Sequence, residues 1–203
     1  MIADTAAKGL SKLERTRQQL VHAIRNEIRE SGNFTADLVA QRAGTSPATF
    51  YNHFATKDEA LMAAYEALMI DLVDLVSEQC RIEKLLDEGL RVFNANWLMN
   101  ASVFFARNAS LFLLSQPAIQ HSKALRKVFR QYEESAIQAY KRFIELGQSA
   151  RLIRTGDSLA MAQALAVITE GWYHPLIQKL EQGSPIHLEM TEALTRVLAP
   201  NES

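Results

Sequence analysis

The sequence predicts an all-α fold: a three-helix unit at the N-terminus followed by a larger helical body, about nine helices in all. Three observations predict it. Glycine and proline are scarce, 8 and 5 in 203 residues, while the good helix formers Ala, Leu, Glu, Gln and Arg are plentiful. Apolar residues recur at three- and four-residue spacing in segment after segment, and no stretch alternates long enough to read as a strand. Cap and stop residues fall between these periodic segments.

The first helix is expected from Ser11 to Glu30, with Leu13, Leu20, Ile24 and Ile28 on one face and Gly32 as its stop. A second begins at once, with Thr35 as N-cap, Asp37 in the first turn and Gly44 closing it; Val39 and Ala43 face inward. The third is short. Ser46 is its N-cap and Pro47 sits at the first helical position, where proline is tolerated. The fourth starts near Lys57 behind Thr56 and carries Leu61, Leu68, Leu72 and Leu75 towards Cys80. Further helices are expected over 82–99, 101–115, 123–149, 157–181 and 185–199. Breaks are expected at Ser115-Gln116-Pro117, from Gly147 to Gly156 and at Gly183-Ser184-Pro185, and a bend at Pro175. The domains are drawn at 1–56 and 57–203.

Residues 35–57, TADLVAQRAGTSPATFYNHFATK, have the layout of a helix-turn-helix: two short helices joined by the small turn Gly44-Thr45-Ser46, with Ala40 and Ala43 permitting close approach. Phe50 and Phe54 lie one helical turn apart and pin the short helix against the first, near Ile24 and Ile28. Ala48, Thr49 and Asn52 then point outward. They are short enough to enter a major groove, where an Asn amide pairs with an adenine edge and Thr meets a polar base atom or a thymine methyl. Tyr51, His53 and Lys57 flank that face and suit phosphate oxygens. The helix starts at Thr35 and Lys57 offer backbone N–H groups to phosphate, and Thr45 and Ser46 of the turn complete the set of candidate DNA contacts. The competing reading, a packing unit with Tyr51 and His53 merely on the surface, stays open on the pattern alone. Charge leans towards DNA: up to Lys57 there are eight basic residues against five acidic, while the whole chain carries −1.

These residues resemble the TetR family of repressors. The resemblance rests on Val39-Ala40, Ala43-Gly44, Ser46, Thr49-Phe50-Tyr51, Phe54 and Lys57, with Gly32 as the glycine ending the first helix and Ala23 and Ile28 in its core. It covers about the first 60 residues; beyond them the chain has the family's length and helical character. It implies a homodimer that sets two recognition helices into successive major grooves of a palindromic, double-stranded operator. By the same resemblance Tyr51, His53, Lys57 and Thr35 touch the backbone, and Ala48, Thr49 and Asn52 face bases. Phe34, Leu38, Thr45 and Asn52 depart from the family pattern and bear on which operator is read.

In the body, large apolar side chains gather at 90–115 and 165–175. Phe93, Trp97, Phe104, Phe105, Phe112 and Trp172, with Asn108 among them, are the candidate lining of a small-molecule cavity. On the residues alone these aromatics equally form plain core. The resemblance implies a cavity in this region, for an apolar or aromatic effector. Small residues at 160–171 and the stripe Ile186, Met190, Ala193, Leu194 and Val197 fit either core helices or half of an isologous four-helix interface; the resemblance selects a homodimer through 157–181 and 185–199.

An enzyme finds no support. The five histidines are dispersed, no Cys or His cluster has metal-ligand spacing, no glycine-rich phosphate loop follows a strand, and Glu133-Glu134 reads as a solvated face. No metal or cofactor is expected. The single Cys80 permits no intramolecular disulfide, and no signal-like or membrane-spanning run occurs, so a cytoplasmic protein with no membrane partner is expected. The rival function is a DNA-binding protein controlled by a protein partner instead of a small molecule.

Overall fold

The computed structural model of the chain describes residues 11–174, 177 and 184–200. Among them the regular elements are α1 (Lys12–Ser31), α2 (Ala36–Arg42), α3 (Pro47–His53), α4 (Lys57–Gln79), α5 (Ile82–Glu88), α6 (Leu90–His121), α7 (Lys123–Ser149), α8 (Ser158–Glu170), a 3-10 turn (Gly171–Tyr173) and α9 (Pro185–Leu198); no strand occurs among the described residues. The all-α expectation holds. Two compact units share the chain. One runs to Leu68 and takes in Ser110–Arg126; the other holds Met69–Ala109 and the chain from Lys127 onward. Helices α4 and α6 contribute residues to both.

The first unit is shaped by local signals. Ser11 and Glu14 form a reciprocal capping box at the start of α1. Thr35 accepts from the Leu38 N–H, Ser46 from that of Thr49, and Thr56 from that of Glu59, so each following helix starts on a hydroxyl. Gly44, at φ +66°, makes the turn between α2 and α3 in a conformation that strains any residue with a Cβ. Leu20, Ile24, Ile28, Val39, Phe50 and Phe54 are buried at the centre of the three helices. Leu13 departs from expectation: it lies in the exposed first turn of α1, ahead of the buried stripe that begins at Leu20. In the same unit the rings of Tyr65 and Phe112 meet edge to face, centroids 6.3 Å apart.

In the second unit Phe93 stacks on Phe143 at 4.9 Å and Trp97 meets Tyr140 edge-on at 5.7 Å. Helix α9 is tied in by Asn94 donating to Thr195 and by Arg91 pairing with Glu192. The backbone N–H of Arg154 also donates to the Leu198 carbonyl. Gly147 lets the chain double back at the end of α7. A Cβ there would lie 2.5 Å from Ile153 Cδ1, and the Gly147 carbonyl accepts from the N–H groups of both Leu152 and Ile153.

Several boundaries differ from the sequence reading. The 82–99 segment breaks at Gly89, at φ +74°, and α6 then runs unbroken through Asn100. Asn96 and Asn100 do not break it because their side chains donate outward, to Glu88 and Gln79. The helix also passes through Pro117. Proline removes the bond to the Leu113 carbonyl, and both residues lie on the exposed side, where water can satisfy that oxygen. Helix α7 continues past Gly147 to Ser149. Helix α8 ends at Glu170, and His174 is extended, as a residue before proline prefers. The bend at Pro175 lies outside the described residues, as does most of the expected 171–181 segment. Finally, α9 buries His187, Thr191, Leu194 and Leu198, not the predicted apolar stripe. His187 stacks on Trp172 at 4.5 Å and Thr191 bonds back to the His187 carbonyl, so polar residues turn inward and leave Ala193 and Val197 exposed.

Candidate nucleic-acid interface

Helix α3 is too short to hold itself; its position comes from burying Phe50 and Phe54, which are 1% and 0% exposed. Their rings lie 5.3 Å apart, the Phe54 N–H donates to the Phe50 carbonyl, and the Arg17 guanidinium of α1 sits 5.0 Å over the Phe54 ring. With that side fixed inward, Ala48, Tyr51 and Asn52 are exposed on the other. Thr49 and His53 are half-buried. The Thr49 hydroxyl is paired with Ser46 Oγ at 3.0 Å, and the His53 ring leans on Phe54. No described hydrogen bond occupies the Asn52 amide.

Thr35 is exposed, but its hydroxyl already accepts from Leu38 N–H. Half-buried Thr45 donates to the Ser46 carbonyl. Lys57 is exposed and oriented: its ammonium donates to Asn33 Oδ1 at 2.8 Å and lies 5.0 Å over the Phe34 ring. The sequence reading did not find Asn33 or Phe34 as supports for this lysine. Both sit in the loop between α1 and α2, 24 and 23 residues away, so no local pattern links them to Lys57. Arg42 is unavailable as a free cation. It bridges Glu27 and Glu30 of α1, and its hydrogen bonds hold the Glu30 carboxyl below the usual range. The exposed rim of α3 therefore combines small and amide side chains in the centre with Tyr51 and Lys57 at its edges.

In the second unit a recess of about 330 Å³, mouth included, is lined by Met69, Leu72 and Val76 of α4, Phe105 of α6, Glu133, Ala136 and Tyr140 of α7, and Ala166, Thr169 and Glu170 of α8. Of the expected cavity residues only Phe105 lines it. Phe93, Trp97 and Trp172 are buried in ring-to-ring contacts. Phe104 is half-buried beside Phe105, and Asn108 is buried with its amide on the Phe104 carbonyl. Phe112 belongs to the first unit. Glu133 is half-buried at the recess while its neighbour Glu134 is exposed, so the pair is not one solvated face. The one signal that the sequence held is the spacing of Glu133, Ala136 and Tyr140, which puts all three on one side of α7.

Burial, with the negative charge of Glu133 adding to it, pushes the Glu170 carboxyl up to about 7. Burial likewise keeps Tyr140 protonated, and its hydroxyl donates to Thr169 at 3.3 Å. Among the described residues no group of three or more His, Cys, Asp and Glu is placed to hold a metal, and no helix is long and apolar enough to cross a membrane.

Residues 20–64 match the family model of the bacterial regulatory proteins of the tetR family. That span contains α2, α3 and the Phe50–Phe54 anchor. The fold is shared with solved structures. One is a protein described as a TetR-family transcriptional regulator from Mesorhizobium loti, with TM-score 0.74, 15% identity, 94% of this chain covered and 100% of the other. A second is a TetR transcription regulator from Haloarcula marismortui, with TM-score 0.71, 17% identity and coverage of 91% and 96%. A third is SmeT in complex with triclosan, with TM-score 0.65, 18% identity and coverage of 92% and 93%. No curated protein matches the sequence.

Proposed function

The N-terminal part of this chain belongs to the tetR family of bacterial regulatory proteins, and from that premise we propose that the protein is a homodimeric repressor in the cytoplasm that binds a palindromic operator and leaves it when a small apolar or aromatic effector binds. The observation that carries this reading is the two-sided α3: phenylalanines buried on one side, Ala48, Tyr51 and Asn52 open on the other, inside the family-matching segment. Ala48, Thr49 and Asn52 face base edges. Tyr51, His53, Lys57, Thr35, Thr45 and Ser46 hold phosphates and fix the register.

The second unit is the sensing and pairing body. Its α8 leaves Leu159, Ala160, Ala164 and Val167 exposed, and α9 leaves Leu188, Ala193 and Val197 exposed; Val167 is 70% open. Such apolar surface on two helices suits an isologous four-helix interface between protomers. SmeT, of the same fold, is found with triclosan, and the recess under Phe105 is where this chain takes its effector. Binding repacks the helices around residues 93–112. Helix α4, which gives Met69, Leu72 and Val76 to the recess and begins at Lys57, carries the change, so that the recognition helices depart from a spacing of roughly 34 Å.

The test compares variants on the selected operator. Tyr51→Phe and Lys57→Ala are expected to weaken binding to every sequence alike and to flatten its salt dependence, because phosphate contacts release counterions. Asn52→Ala is expected to relax preference at one base position by about 1–3 kcal/mol. An Asn52→Ala protein with unaltered preference would remove Asn52 from the groove.

A further inference from the structure

The lining of the recess in the second unit is not neutral. From α4 and α6 it receives only Met69, Leu72, Val76 and Phe105, none of which titrates. Its charged lining groups are Glu133 and Glu170, both acidic, and no lysine, arginine or histidine lines it. The Glu170 carboxylate has no ion-pair or hydrogen-bond partner among the described residues. A carboxylate set in apolar walls without a partner is costly, and the chain carries two of them here. A neutral hydrocarbon would fill the volume and leave that cost in place. An anion would add to the repulsion. A cation with an apolar body removes the cost while burying its own surface.

We propose that the recess binds a hydrophobic amine, its apolar body against Met69, Leu72, Val76 and Phe105 and its ammonium facing Glu133 and Glu170. This rests on the reading of the second unit as an effector-binding body and narrows the effector from apolar or aromatic to apolar and cationic. Glu170, the more enclosed carboxylate, is the principal charge partner. Tyr140 is a weaker partner, since its hydroxyl hydrogen is directed to Thr169 and its oxygen remains as an acceptor.

The experiment uses the full chain and three probes that share one body: 4-phenylbutylamine, 4-phenylbutanol and 4-phenylbutyrate, titrated by calorimetry at slightly alkaline pH. There the amine is protonated and Glu170 largely ionised. The amine is expected to bind about tenfold tighter than the alcohol, the size of one charge-assisted hydrogen bond, and the carboxylate weakest of the three. Glu170→Gln is expected to bring the amine close to the alcohol. Should that variant not fold, Glu133→Gln is expected to give a smaller loss in the same direction, and the wild-type ranking requires no variant. An alcohol that binds as tightly as the amine overturns the charge assignment and leaves the effector-binding body standing. An amine preference untouched in both variants does the same. If none of the three binds at millimolar concentration, both readings fall.

Discussion

Replacing Phe54 with alanine is expected to cost the N-terminal unit roughly 3–5 kcal/mol and to abolish DNA retention with it. The ring is fully buried, touches the Phe50 ring and lies under the Arg17 guanidinium, so its removal opens a cavity where α3 is held to α1. Helix α3 has seven residues and no means of standing alone. Tyr51→Ala is the informative partner. Tyr51 is 59% exposed and meets only the edge of Phe50, so its loss is expected to cost at most about 1 kcal/mol of stability while still weakening DNA binding. Urea unfolding of the two variants, followed by helical signal and by DNA retention, separates anchoring from contact. Equal midpoints for Phe54→Ala and the wild-type protein would contradict the anchoring role.

Glu170→Gln is expected to stabilise the protein, and only above mildly acidic pH. Burial raises the Glu170 carboxyl from its ordinary 4.5 to about 7, so the folded state holds this proton more tightly than the unfolded chain. The stability linked to it is fully present below pH 4.5. It declines as pH rises and is gone once pH passes about 7. Glutamine carries no such proton. The variant and wild-type melting temperatures should therefore coincide near pH 4.5 and diverge by the equivalent of roughly 1–3 kcal/mol at pH 8. Carboxylates with lowered values, among them Glu30 and Glu145, work in the opposite sense, but both proteins share them and they cancel in the difference. A constant gap across the range, or a variant less stable at pH 8, would contradict the placement of Glu170.

The N-terminal unit was legible because its instructions are local. Thr35, Ser46 with Pro47, Gly32 and Gly44 each act within a few residues, and the helix bounds they imply match to within a residue or two. The face of α3 followed from two phenylalanines four positions apart. The body was not legible in the same way. Its recess draws on residues 69–76, 105, 133–140 and 166–170, which no spacing rule connects. Large aromatics drew attention to themselves, yet Phe93 and Trp97 have rings to pack on and are sealed into core. The side chains that give the recess its character are a tyrosine and two glutamates that composition alone assigns to the surface. Helix α9 shows the same limit. Hydrophobicity chose Ile186 and Val197 as its inner stripe, while a histidine stacked on Trp172 set the rotation.

Selection of DNA fragments by the purified full chain at low ionic strength, followed by sequencing of those retained, tests the central claim directly. The account predicts an enriched inverted repeat whose half-sites are centred about one helical turn, or a multiple of it, apart, with enrichment lost for Asn52→Ala at one position of each half-site. Retention of no fragment, or of fragments with no shared repeat, would contradict it.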